Sequence, residues 1–336
     1  MTKRSTLLVA IALLACANVA AAPAPALPAA KAAHSRLLDI AVAGDHAVAV
    51  GQQGVILTSA DGKNWEQRPS PASTMLTRVR FVDDKTGWAL GYDATILQTQ
   101  DGGASWTLRH SDDKGGALFD ILFLDAQHGF AVGAYGALLE STDGGANWSA
   151  HAGLFDEVGM HINALLRLPS GTLVVAGERG VVAYSSDQGA NWQLIDTPYG
   201  GSWFGAMPHG DKGVVVFGMR GNVFITDDLE HCTHLDSAKW DPYTRENFSD
   251  PAQIEARGWH RIEDTNRDSI YGALMLSPQS ALLVGFNGMT QKLDLAAKSL
   301  TRVETPAVET LVKLVAFKGR LIAVGRRGAQ DVGAAP

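Results

Sequence analysis

The side chains of this sequence that could do chemistry are mostly carboxylates, and one aspartate recurs in a fixed setting. It is Asp61 in "SADGKNW" (59–65), Asp101 in "TQDGGASW" (99–106), Asp143 in "STDGGANW" (141–148) and Asp187 in "SSDQGANW" (185–192). Each follows a Ser or Thr by two residues and precedes a tryptophan: Trp65, Trp106, Trp148 or Trp192. A reaction needs such an aspartate once, not four times. A carboxylate so placed accepts hydrogen bonds from backbone N–H groups of its own turn. The neighbouring glycine permits the positive φ of a tight hairpin, and the indole buries a large apolar surface between units. A structural role is expected for all eight residues, and no catalytic residue is assigned.

Other chemistry is thinly represented. Glycoside hydrolysis needs two carboxyl groups facing across a cleft. Asp93, Asp112, Asp113, Asp156 and Glu157 could share a face, yet they read as solvated loop acids. In "EHCTH" the residues Glu230, His231, Cys232 and His234 resemble a metal cluster superficially. On an extended segment Cys232 and His234 share one side and His231 takes the other, and paired-ligand spacing is absent. No metal site, no cofactor and no nucleophile–base pair is expected, so the reading is a non-enzyme.

The elements that carry these residues repeat. A Gly-x-x-Gly turn follows a β-rich run in "AVAVGQQG", "FAVGAYG", "LVVAGERG", "VVVFGMRG", "LLVGFNG" and "LIAVGRRG", with "WALGYDA" as a variant. The first glycines fall at 51, 91, 133, 177, 218, 285 and 325, with gaps of 40, 42, 44, 41, 67 and 40. Seven such units predict an all-β fold, a seven-bladed β-propeller with one aspartate-bearing turn per regular blade. In the third unit "ALFDILFLD" reads as the inner strand, "GFAVG" as the second, "ALLEST" as the third and "NWSAHA" as the outer. The tryptophan lies fifteen residues after the glycine, fourteen in the first unit, and opens the outer strand. The sixth unit has Leu300 in its place. In the fifth, an insert at about 233–258 separates "TDDLEHC" from Trp259. The seventh has eleven residues after Gly325, too few for an outer strand. Residues 27–31, within the Pro/Ala-rich segment 22–35, are expected to supply that strand at a free edge where proline is tolerated. Residues 36–336 are then a single domain.

The aspartate turns resemble the Asp-box, or bacterial neuraminidase repeat. "DKTGWALGYDATILQTQDGGASW" and "DAQHGFAVGAYGALLESTDGGANW" closely resemble repeats of the photosystem II stability/assembly factor family. The likeness spans about 36–328 and is strongest over 76–192. It implies a seven-bladed propeller without enzymatic activity that binds a client polypeptide and assists assembly of a membrane complex. A sialidase shares Asp boxes but opens with an Arg-Ile-Pro element, and the nearest likeness here, "HRIED" at 260–264, lacks the proline. A carbohydrate-binding or glycoside-hydrolase-like Asp-box propeller is the alternative reading.

The central residues of the Gly-x-x-Gly turns form a ring on one face: Gln52–Gln53, Tyr92–Asp93, Ala134–Tyr135, Glu178–Arg179, Met219–Arg220, Phe286–Asn287 and Arg326–Arg327. Small polar residues would suffice for turns. Arg179, Arg220, Arg326, Arg327, Tyr92, Tyr135 and Phe286, with Trp203 on a nearby connection, mark a candidate client-binding face, since Arg and aromatic residues dominate binding hot spots. The start of the chain reads as a secretory signal peptide, 1–21: basic "MTKR", an apolar run, then "VAA". Cleavage before Ala22 places the protein in the periplasm. Lipidation of Cys16 in "LLAC" is the alternative. Without Lys3 and Arg4 there remain 26 basic and 35 acidic residues. That balance argues against nucleic acid as partner. No later apolar run reaches the roughly 20 residues of a membrane helix. With Cys232 as the one remaining cysteine, no internal disulfide is expected. A monomer is expected.

Overall fold

In the computed structural model, residues 23–151, 155, 159–241, 243–244 and 246–335 are described. The leader with Cys16, and also Asp156 and Glu157, lie outside the described residues. Seven antiparallel sheets follow one another along the chain, six of four strands and one of three. The protein is a seven-bladed β-propeller. Its inner strands are Leu37–Ala43, Leu76–Phe81, Leu118–Phe123, Ile162–Arg167, Trp203–His209, Ile270–Ser277 and Leu311–Phe317. The second strands, such as Gly87–Gly91, Gly129–Gly133 and Leu173–Gly177, are buried along their whole length. Continuous burial suits strands covered on both faces. The outer strands are short and polar, and Ser149–Ala150 is fully exposed.

The apolar core is divided into seven clusters, one between each pair of neighbouring blades. Each inner strand also carries a β-bulge after its first residue. The register slips between Leu37 and Asp39, Leu76 and Arg78, Ile162 and Ala164, Trp203 and Gly205, Ile270 and Gly272, and Leu311 and Lys313. In the third blade the partners of Leu118 and Asp120 show the same slip. A bulge re-aims the side chains next to it. Here it sets a seven-membered ring of residues at the waist of the central channel.

Ring closure differs from the expectation for residues 27–31. The last sheet has three strands, ending with Gly328–Ala334, and residues 27–31 form no strand against it. They lie on blade one instead. Ala26 N–H donates to Ser70 O (3.0 Å), Ala29 N–H to Gln67 Oε1 (2.8 Å), and Gln67 Nε2 to Leu27 O (3.1 Å). Pro23, Pro25 and Pro28 lack the N–H groups that a strand would need to donate. The ends of the ring meet through packing: Leu37, Ile40 and Leu57 of blade one against Phe317, Ile322 and Val324 of blade seven. The turn Ala32–His34 wedges between them, with buried Ala32 in the shared cluster.

The long insert joins the third strand of blade five, Val223–Thr226, to its outer strand His260–Arg261. It is a run of capped turns followed by a short capped helix, Pro251–Glu255. Asp236, Asp241 and Asp250 accept from the N–H groups of Ala238, Tyr243 and Ala252 at 3.1, 2.8 and 3.0 Å. The insert grips blade four as well as its own blade, where Glu255 lies 3.8 Å from His260. Leu235 N–H donates to Leu194 O, Asp196 N–H to Thr233 O, and Phe248 N–H to Pro198 O. Arg257 Nε meets Asp196 Oδ2 at 2.9 Å, and its guanidinium lies 3.6 Å from the centre of the Phe248 ring.

Candidate functional site

Each aspartate turn is a closed hydrogen-bond circuit. Asp143 Oδ1 accepts from Ser141 Oγ (2.9 Å) and Asn147 N–H (2.9 Å), while Oδ2 accepts from Asn147 Nδ2 (2.7 Å). Ser141 Oγ in turn accepts from Gly145 N–H at 2.9 Å. Asp61, Asp101 and Asp187 repeat the pattern. The donors from Asn147 hold the Asp143 carboxyl below the usual carboxylate range. Such a group is a poor proton carrier at neutral pH. Trp148 donates Nε1–H to Gly145 O (3.1 Å) and meets Phe123 edge-on at 5.8 Å, inside the cluster between blades two and three. Trp106 is buried in the same way between blades one and two, while Trp65 and Trp192 are half-buried. In blade five Asp228 caps the turn Leu229–His231, and Trp259 is fully buried after the insert.

The residues of "EHCTH" diverge. Burial pushes the Cys232 thiol up to about 11, facing Thr226. His231 pairs with Asp228 at 3.2 Å, and His234 Nε2 lies 3.3 Å from the Tyr184 hydroxyl.

The Gly-x-x-Gly turns do share one face, and their backbone sharpens the question of their side chains. The second central residue is left-handed in six blades: Gln53, Asp93, Tyr135, Arg179, Arg220 and Asn287, with φ between 54° and 57°. Asn and Asp enter this region most readily, whereas long side chains are uncommon there. Turn formation therefore does not account for Tyr135, Arg179 and Arg220. Arg327 holds the same place in sequence but lacks the positive φ, because the last turn is a two-residue hairpin between Gly325 and Gly328. The exposed large apolar side chains Tyr92, Tyr135 and Phe286 lie in these same turns.

Three features of this face were not expected. Trp203, read as a face residue, is fully buried, packed between Tyr199 and Phe224 at ring distances of 5.4 and 5.7 Å. It opens the inner strand of blade five, fifteen residues before Gly218, where the other blades carry Leu or Ile. That alignment was a usable signal. Secondly, the insert crosses to this face. The Arg179 guanidinium stacks 4.9 Å from the Tyr243 ring centre, and Asn247 Oδ1 accepts from Gly200 N–H at 2.9 Å. Thirdly, Arg326 and Arg327 both reach Glu309, at 3.7 and 2.8 Å, so their charge is partly neutralised. The Arg220 side chain is exposed.

The channel waist holds a charge network that sequence reasoning missed, because the bulges that align it are invisible in a pattern of residue types. Arg78 lies between Asp39 (3.8 Å) and Asp120 (3.3 Å), and Arg80 Nε meets Asp120 Oδ1 at 2.9 Å. Asp39 Oδ2 accepts from Val79 N–H and Asp120 Oδ2 from Leu165 N–H, tying blades one to two and three to four. Burial alone would raise the Asp120 carboxyl, but Arg78 and Arg80 outweigh it and hold it below the usual range.

Fold and turns together define a β-propeller with aspartate-braced hairpins and no metal cluster or membrane-spanning helix among the described residues. The chain belongs to the family described as photosynthesis system II assembly factor YCF48, which matches over residues 60–117 and 111–228, half of its length. It is 30% identical over 70 residues to the photosystem II assembly protein Ycf48 of Thermosynechococcus vestitus. That stretch covers 19% of this chain and 20% of the relative. Among solved structures it is similar to YCF48 from Cyanidioschyzon merolae (TM-score 0.63, 18% identity, 90% of this chain and 96% of that one). A structure of YCF48 bound to D1 peptide has a TM-score of 0.63 and 18% identity, covering 95% of this chain and all of that one. At these identities the structural likeness is one of fold.

Proposed function

We propose that this protein is a non-enzymatic assembly factor of the periplasm that binds a polypeptide client, a subunit of an envelope membrane complex, on its Gly-x-x-Gly face. The observation that carries the reading is the pair Arg179 and Arg220, long cationic side chains held at a left-handed turn position that favours Asn or Gly. Tyr243 and Tyr199 extend the patch between blades four and five, with Tyr135 and Phe286 exposed to either side. A guanidinium fork suits carboxylates, so an acidic segment or a chain terminus is the fitting client chemistry. Local positive charge on a protein of net negative charge steers such a partner. Family membership supports an assembly role, and a relative has been solved with a bound peptide. The channel carboxylates are neutralised by arginines, which speaks against a glycosidase pair. The leader-like residues 1–21 support export.

Affinity capture from the native envelope fraction tests the reading, with the bait first checked to be a periplasmic chain starting at Ala22. Replacing Arg179, Arg220 and Arg327 together by Glu is expected to leave stability within about 1 kcal/mol, as for exposed sites, and to abolish capture. Retrieval of the same proteins by the triple variant would overturn it.

A further inference from the structure

The channel waist is lopsided. At the position that follows the bulge, blades seven, one, two and three carry Lys313, Asp39, Arg78 and Asp120. Blades four, five and six carry Ala164, Gly205 and Gly272. Opposite the charged wall, therefore, the ring carries no charged side chain. A cavity of about 330 Å³ runs from the waist towards the mouth opposite the Gly-x-x-Gly face, reaching Arg167, Pro208 and Met275 near the far ends of the inner strands. Its two sides differ in chemistry. Arg78, Arg80 and Lys313 border one. Phe204 and Tyr271, a tilted ring pair 5.3 Å apart, border the other together with Met207 and Met275. Both rings are bulge residues, so the same backbone device that aligns the charges presents the aromatic wall.

The charges do not cancel. Asp39 and Asp120 are occupied by Arg78 and Arg80, whereas among the described residues the Lys313 ammonium has no hydrogen-bond or ion-pair partner. At the waist three cations against two carboxylates leave a single positive charge beside an apolar wall, and Arg167 adds a second at the mouth. Cavities of this size hold small molecules, oriented by a few placed polar groups.

We propose that this cavity is a binding site for a small organic monoanion, a carboxylate with an aliphatic tail. Its head meets Lys313 and Arg80, and its tail lies against Phe204, Tyr271 and the two methionines. A dianion seated at the waist would overshoot the charge there, and an alcohol would leave the ammonium unpaired. Burial pushes the Lys313 amine down to about 8, an effect that Asp39 and Asp120 resist and Arg78 and Arg80 reinforce. A carboxylate beside it favours the charged form again, so binding above pH 8 draws in a proton.

Calorimetric titration of the mature protein with sodium hexanoate, in two buffers of different ionisation enthalpy near pH 8.5, reads both events. A single site with net proton uptake is expected. Lys313→Met keeps the volume and removes the charge; it is expected to weaken hexanoate by about tenfold or more and to eliminate the proton uptake. Met275→Glu, which sets a repelling carboxylate in the tail wall, is expected to weaken it as well and covers the case in which the first variant fails to fold. Sulfate and hexan-1-ol are the control ligands. The proposal is overturned if hexanoate gives no binding at about 10 mM, or if the folded variants bind as the parent does. It is equally overturned if sulfate or hexanol binds as tightly.

Discussion

At the scale of single residues, the tryptophans of the aspartate turns and the turn arginines make opposite demands on the fold. Trp148 fills the seam between blades two and three, so Trp148→Ala is expected to cost about 3–5 kcal/mol in chemical unfolding. A variant of parental stability would move the box from structure to binding. Arg220 has no such duty. The box residues were legible because a hydroxyl, a carboxylate, a glycine and an indole at fixed spacing describe a local circuit that needs no distant partner. The turn arginines were legible as a ring, but not their fates. Stacking of Arg179 on Tyr243 and pairing of Arg327 with Glu309 depend on segments brought in from elsewhere. Trp203 was misread because aromatic residues on a connection and aromatic residues opening an inner strand look alike until the blades are aligned. Lys313 was not noticed at all, since one lysine in an apolar strand carries no pattern.

At the scale of elements, the insert is a strap across two blades. Its path could not be read from sequence, because a loop between the third and fourth strands of blade five is free to leave on either side. The capping aspartates do reveal that it is built of turns. Arg257 fastens the strap to Asp196 and covers Phe248. Arg257→Ala is therefore expected to speed hydrogen exchange across residues 233–258 while the remaining blades keep their protection. Uniform loss of protection would show that the insert is part of the global folding unit instead. Because Tyr243 rests on Arg179, loosening the strap also alters the candidate client face from a distance.

At the scale of the whole molecule, the seven-fold count was legible from the glycine spacing alone, and the manner of closure was not. Free-edge tolerance of proline made residues 27–31 plausible as a strand. In the structure they run over blade one, and the turn Ala32–His34 does the joining. Deleting residues 23–31 removes the three hydrogen bonds to blade one and is expected to cost about 1–2 kcal/mol. Extending the deletion through Ser35 also removes buried Ala32 from between the two end blades and is expected to cost about 2–4 kcal/mol, read from urea midpoints. Equal losses would assign the fastening to the proline-rich run. Among the described residues no strand is carried across the junction between blade seven and blade one, so the ring resembles a split washer closed by packed side chains. Because all seven inner strands face one bore, a slight parting at that split would widen the whole aperture at once.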